Sequence, residues 1–293
     1  MCSSSGRRQR STQDPSHLRT ARVFVPETAQ LDPETPNISR IYDYYLGGAF
    51  NLPVDRERAD VIKSVLPGME MLARFNRGFL RRSVAFMVEQ GVTQFLDLGS
   101  GLPTAGNTHE VAHALDPAAK VVYVDYEPVA VALGERILRD NPNAVMVGAD
   151  ARRPDDLFAH PEVRRVLDPD RPLGVLMTGV MVFVGDHEDP TGLMKAYRDL
   201  CAPGSYIALS HLTDERADPE TKVQVHAMVE AYKGVIEQLY VRDLAGVRAL
   251  FDGMALVEPG VTLMPEWRPR PGLDIPTGSP AHHLGYAAVG RVE

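Results

Sequence analysis

The segment Gln94-Phe-Leu-Asp-Leu-Gly-Ser-Gly-Leu-Pro-Thr104 constrains the fold more than any other part of the chain. An apolar run ends in an acid and then turns through two glycines spaced by one residue. A buried parallel strand hands over to a helix in this way beside a bound nucleotide, because glycine tolerates positive φ and lets backbone approach a ligand. The next apolar run, Lys120-Val-Val-Tyr-Val-Asp125, ends in a second carboxylate. An acid about 20 residues beyond such a turn, at the tip of the neighbouring strand, is placed to grip a ribose diol. The competing reading is an ordinary strand–turn–helix with an incidental Asp.

Periodicity extends the argument in both directions. Helices are expected over Asn37–Tyr45, Asp55–Val65 and Met69–Glu89, the last with Met71, Leu72, Phe75, Phe79, Leu80, Val84, Met87 and Val88 as its apolar stripe. Strands and helices then alternate: strands at Phe95–Leu98, Val121–Asp125, Ala144–Val147, Leu173–Met177 and Tyr206–His211, helices at Thr108–Leu115, Val129–Leu138 and Thr191–Cys201. Such alternation implies a parallel sheet covered on both faces. Beyond it, helices are expected over Lys222–Tyr240 and Asp243–Leu250. Two final strands, Met254–Val257 and Ala287–Val292, have no crossover helix between them and should be antiparallel. The expected architecture is an α/β sandwich with a basic disordered tail over residues 1–30, a helical cap over 31–90, and a ligand-binding domain over 91–293.

Composition narrows the partners. The formal charge of −8 argues against a surface built for phosphate backbones, so nucleic acid is not an expected partner. Two cysteines, Cys2 and Cys201, supply neither a disulfide framework nor a cysteine metal site, and no metal is expected. No apolar run reaches the ~18–20 residues of a membrane span. Polar residues also follow the first arginines where a secretory signal needs its apolar stretch, so the cytoplasm is the expected location.

Asp97, Asp125 and Asp150 end successive strands and so share the carboxyl edge of one sheet, where open α/β folds bind ligands. Asp97 either holds the turn or meets a ligand ammonium through water. Gly99, Ser100 and Gly101 offer backbone amides and room. Asp125 is suited to a ribose diol, with Tyr126 either laid against an adenine or covering a helix start. Asp150 either accepts from an adenine amine or caps a helix. The position three after Gly101 is Thr104 rather than Gly or Ala, which disfavours a pyrophosphate and favours a ligand without phosphates.

These motifs, in this order, resemble the class I S-adenosylmethionine-dependent methyltransferases. More narrowly, the chain is similar to a bacterial S-adenosyl methyltransferase family formerly classed as a domain of unknown function. The resemblance rests on Ile41-Tyr-Asp-Tyr-Tyr-Leu-Gly-Gly48 with Asn51 and Asp55-Arg56, and on Arg74-Phe-Asn-Arg77. Gln94–Thr104 with Asn107-Thr-His-Glu110, Val122-Tyr-Val-Asp-Tyr-Glu-Pro128 and Ala202-Pro-Gly-Ser-Tyr-Ile-Ala-Leu-Ser-His211 complete it. It implies a Rossmann-like seven-stranded sandwich that closes with an antiparallel C-terminal hairpin and binds S-adenosyl-L-methionine. Gly99 and Gly101 would face the methionine part, Asp125 the ribose and Asp150, with the adjoining Ala151, the adenine; Tyr44 and Asn107 would close over the cofactor. Val182 stands where the family pattern has histidine, so no catalytic role transfers to that position.

No catalytic residue is assigned. His211, at the end of the fifth strand, is best placed by topology for a general base, but a lone histidine there equally serves as a structural hydrogen-bonding group. The favoured reading is methylation of a small-molecule acceptor at oxygen or nitrogen. Two others stay open: a non-catalytic S-adenosylmethionine-binding regulator, and a nucleotide-dependent oxidoreductase, disfavoured by the missing third glycine and the hairpin ending.

Overall fold

The computed structural model describes residues 34–103, 106–233, 238–270 and 278–293. The expected tail over 1–30 and the Thr104 position lie outside the described residues.

Three helices come first: α1 (Ile38–Tyr45), α2 (Pro53–Val65) and α3 (Met69–Glu89). The α1–α2 corner is locked by charge. Arg40 donates from Nε to Asp55 Oδ2 (2.7 Å) and from Nη2 to Asp55 Oδ1 (3.0 Å), and both residues are buried. Asp55 also accepts the backbone N–H groups of Asn37 and Leu52, so one carboxylate ties the starts of both helices.

The alternating region follows as β1 (Gln94–Leu98), α4 (Thr108–Leu115), β2 (Lys120–Asp125), α5 (Pro128–Leu138), β3 (Ala144–Gly148), α6 (Pro154–Ala159), α7 (Pro161–Val166), β4 (Gly174–Thr178), α8 (Pro190–Leu200) and β5 (Tyr206–Leu212). The chain ends with α9 (Pro219–Tyr232), α10 (Leu244–Ala249), β6 (Ala255–Leu256), β7 (Thr262–Leu263) and β8 (Gly285–Arg291). The sheet order is β3-β2-β1-β4-β5-β8-β6, with β7 also paired to β8. Pairing is parallel from β3 through β5, and β8 runs antiparallel to β5, β6 and β7.

Both faces of the sheet are covered. Phe95, Val121 and Tyr123 pack on one side with Phe75, Phe79 and Val84 of α3; Leu96, Leu98, Val122 and Val124 pack on the other with α6–α8 residues such as Leu157, Val163 and Tyr197. The N-terminal helices therefore share one core with the sheet. Phe79 and Phe86 of α3 meet the ring of Trp267 edge-on at 5.4 and 5.8 Å, and buried Arg82 donates to the Trp267 carbonyl at 2.8 Å.

Three details depart from the sequence expectation. The sheet has eight strands rather than seven, because the two-residue β7 is too short to carry a period-two signal. The six-residue helices α6 and α7, each opened by proline, occupy a stretch where no helix was expected. The helix expected over Lys222–Tyr240 starts at Pro219, capped by Asp218, and stops at Tyr232, where Lys233 takes an extended ψ of 134°. Among the described residues no helix is long and apolar enough to cross a membrane.

Candidate functional site

Strand order reverses between β1 and β4: β2 and β3 lie to one side of β1, β4 and β5 to the other. The loops at the carboxyl ends diverge there and leave a crevice, the usual ligand position in open α/β sheets. A continuous cavity opens along this edge, roofed by α1 and α3 and extending to α9.

Of the residues named from sequence, Asp97, Gly99, Ser100, Gly101, Asp125, Tyr126 and Asp150 line this cavity. Tyr44, Asn107 and Ala151 do not. Tyr44 reaches Asp60 (3.4 Å) with Lys63 over its ring, outside the cleft. The helical period explains why: Ile38 and Tyr42, one turn apart on α1, face the cavity, whereas Tyr44 lies on another side of the helix. Asn107 is buried one layer behind, accepting from Arg77 Nη1 at 3.3 Å. Ala151 offers its carbonyl to the Tyr197 hydroxyl at 2.6 Å.

The three acids differ in state. Burial pushes Asp97 up to about 6, against the opposing pull of the Thr108 hydroxyl (2.6 Å) and the Arg77 charge. Burial also raises Asp125, although it accepts backbone N–H groups from Gly101 (Oδ2, 2.9 Å) and Glu127 (Oδ1, 3.0 Å). A carboxylate has about four lone-pair sites, so these backbone donors leave Asp125 acceptor capacity for a ligand hydroxyl. For Asp150 burial works upward, but Arg152 wins and holds it below the usual carboxylate range through Nε to Oδ1 (3.0 Å) and Nη2 to Oδ2 (3.1 Å). Arg152 also reaches Glu188 (3.4 Å) and lies over the Tyr126 ring, which fixes the outer wall.

The turn glycines have distinct reasons. Gly99 adopts φ +55°, and a Cβ there would lie 2.6 Å from Val180 Cγ2; the space beside it belongs to the loop after β4. Gly101 adopts φ +60° with its Cβ direction open apart from ordinary contact with Ser39.

Sequence reasoning missed most of the far half of the cavity. Asn76 of α3, Gly179 after β4, Ser210 on β5 and Met228 and Tyr232 of α9 all line it. The early signals were the Arg74–Arg77 motif, which holds Asn76, and the Ala202–His211 motif, which holds Ser210; the rest are remote in sequence. His211 lines the cavity but is locked. Its Nδ1 lies 2.9 Å from the Leu212 carbonyl, and its Nε2 lies 2.6 Å from Arg242 Nη1 and 3.2 Å from the Met181 carbonyl, so both ring nitrogens are engaged. Burial lowers its pKa to about 4, the neighbouring Arg242 adding to the shift. It is a neutral structural group rather than an available base.

Among the described residues the orphaned buried polar atoms include Arg77 Nε, on a residue that lines the cavity, and Asn107 Nδ2 in the layer behind it. They fit an anionic oxygen group on a ligand. The carboxylates of Asp97, Asp125, Glu127 and Asp150 along the same wall favour cationic groups and oppose a diphosphate. A phosphate-free nucleoside carrying cationic centres and one carboxylate matches that donor and acceptor set.

Comparison with known proteins agrees. The family model described as S-adenosyl methyltransferase matches residues 25–293. A candidate methyltransferase from Thermobifida fusca YX is 37% identical, with 89% of this chain and 97% of that one covered and a TM-score of 0.81. A DUF574 family protein from Streptomyces avermitilis MA-4680 is 32% identical, with 89% and 99% covered and a TM-score of 0.83. No curated protein matches the chain. With the match spanning the sheet, the cap and the cavity between them, the chain belongs to the S-adenosyl methyltransferase family and is an S-adenosylmethionine-dependent methyltransferase of Rossmann-like fold.

Proposed function

We propose that the protein methylates a small molecule at nitrogen or oxygen, with the cofactor along the acid-lined half of the cavity and the acceptor in the half beyond β4. The observation that carries this reading is the continuity of one partly covered cavity, lined by Asp150 of the acid-bearing edge and by Met264 and Leu284 as well as by α1 and α3. Macromolecular acceptors are met by open grooves, whereas a roofed pocket of mainly apolar wall suits a small ligand.

In this reading Asp125 would hold the ribose diol, Asp150 with Arg152 and Tyr126 would bound the adenine, and Arg77, backed by Asn107, would meet the methionine carboxylate. Asp97 faces the ammonium. Gly99, Ser100 and Gly101 form the floor, while Tyr44 and Ala151 have no direct part. When bound, S-adenosylmethionine would supply an electrophilic sulfonium methyl to an acceptor lone pair held in line with it, the carbon–sulfur bonding pair staying on sulfur. The chain's own contribution is orientation and exclusion of water. With His211 locked, no described residue lining the cavity beyond β4 offers a free imidazole or carboxylate, so the acceptor's proton leaves to solvent after the transfer, as the site opens.

Calorimetry tests the cofactor half. S-adenosylmethionine should bind and NAD should not, and Asp125→Ala should weaken binding by at least about tenfold through two lost charge-assisted hydrogen bonds. Tight NAD binding, or an unchanged Asp125→Ala, overturns it. For the acceptor half, label from methyl-labelled cofactor should appear in the low-molecular-weight fraction of an extract; label in protein or nucleic acid instead refutes a small-molecule acceptor.

A further inference from the structure

Resting on that division of the cavity, we infer that the acceptor half takes an uncharged, largely apolar, ring-sized molecule carrying one hydroxyl or amine, anchored by Asn76 and Ser210 beside Gly179.

The wall is apolar and adaptable. Leu80, Val182, Met228, Leu239, Met264 and Leu284 are all buried and line it. The methionine side chains flex around an irregular or planar ligand and make favourable contact with aromatic rings. Among the described residues there a charged acceptor meets no free opposite charge, because Arg242 already donates to Val184 and Met181 carbonyls and to Asp186, and His211 is its neutral partner. Burying an unpaired charge is strongly unfavourable.

The polar anchor follows from a hydrogen-bond chain whose direction is fixed at one end. The Tyr42 hydroxyl donates to the Ala73 carbonyl (3.2 Å), which can only accept. It therefore accepts from Asn76 Nδ2 (2.9 Å), which sets the amide orientation, and Asn76 Oδ1 accepts from the Ser210 hydroxyl. Two capacities remain among the described residues: the second Asn76 amide hydrogen and the lone pairs of Ser210 Oγ. One donates and the other accepts, so a hydroxyl or amine, which does both, satisfies the pair. Gly179 keeps the approach open, since a Cβ there would lie 3.2 Å from Asn76 Nδ2. Its N–H is tied to the Ser210 carbonyl (3.3 Å), so the three residues are held as one unit.

The test uses full-length protein saturated with S-adenosylhomocysteine and three probes, 1-naphthol, naphthalene and 1-naphthoate, titrated by fluorescence. Naphthol should bind at least about tenfold tighter than either of the others, one well-made hydrogen-bonded group being sufficient for that ratio. Ser210→Ala, a minimal change, and Asn76→Leu should each bring the naphthol-to-naphthalene ratio to within about twofold. A merely structural loss would weaken both probes together and leave the ratio intact. Naphthoate binding as tightly as naphthol, a ratio unchanged in both variants, or no binding of naphthol overturns the inference. If S-adenosylhomocysteine itself fails to bind wild type, the cofactor reading falls alone, and the probe series run without it still decides the chamber.

Discussion

Asp97 gives the site its pH dependence. Its carboxyl is raised by burial to about 6 from an ordinary 3.8, with Thr108, Arg77 and Asp125 the groups facing it. A folded-state pKa above the unfolded one means the fold prefers the protonated acid. The stability this group contributes is fully present below about pH 4 and is lost as pH rises through about 6. A ligand ammonium reverses the preference by favouring the anion. Cofactor affinity measured by calorimetry should therefore rise about tenfold from pH 5 to pH 7, as the ionised fraction does. Asp97→Asn should bind weakly and flatten most of that slope, with Asp125, also raised by burial, supplying the rest. A wild-type affinity independent of pH over that range would count against Asp97 facing a cation. At this scale the strand-end acids were legible in the sequence, because each ends an apolar run. Tyr42 was not separable from Tyr44, since both sit in one aromatic cluster and only the packed helix shows which side meets the cavity.

The turn after β1 and the turn after β4 behave as one element. Gly99 carries a positive φ and leaves its Cβ space to Val180, so substitution strains the backbone and clashes at once. Gly99→Ala should cost about 2–4 kcal/mol in urea unfolding, one part from φ and one from overpacking. Gly99→Ala with Val180→Ala should recover the overpacking part and keep the φ part; equal losses in the single and double variants would show that the two turns are not interlocked. Sequence reading gave Gly99 a ligand-facing reason, and the structure adds a packing one. The residue that fills its space is remote along the chain, and periodicity carries no such pairing. The same limit applies to whole elements. Met69–Glu89 was legible to both ends, since a long helix repeats its apolar stripe several times. The six-residue α6 and α7 and the two-residue β7 complete barely one period, so pattern could not reveal them.

At the scale of the molecule, the N-terminal helices are part of the core rather than a lid resting on it. Phe75, Phe79 and Val84 of α3 pack with Phe95, Val121 and Tyr123 of the sheet, and α1 places Ile38, Ser39 and Tyr42 on the cavity. Cap and sheet should therefore unfold together, and the chain carries its own reporter. Trp267 is the only tryptophan, fully buried, with its ring against Phe79 and Phe86 of α3 and its carbonyl held by Arg82. Its fluorescence reads the seam between α3 and the C-terminal strands, whereas far-ultraviolet circular dichroism reads all helices and strands. The two urea transitions should coincide, as expected when one core is lost in a single step. S-adenosylhomocysteine at 100 times its Kd should move both by the same amount, about 2.7 kcal/mol, because a ligand held by cap and sheet together stabilises the unit that contains both. A Trp267 transition that runs ahead of the dichroism and ignores the ligand would mean that the seam opens independently and that α1 and α3 contribute no binding energy to the cavity.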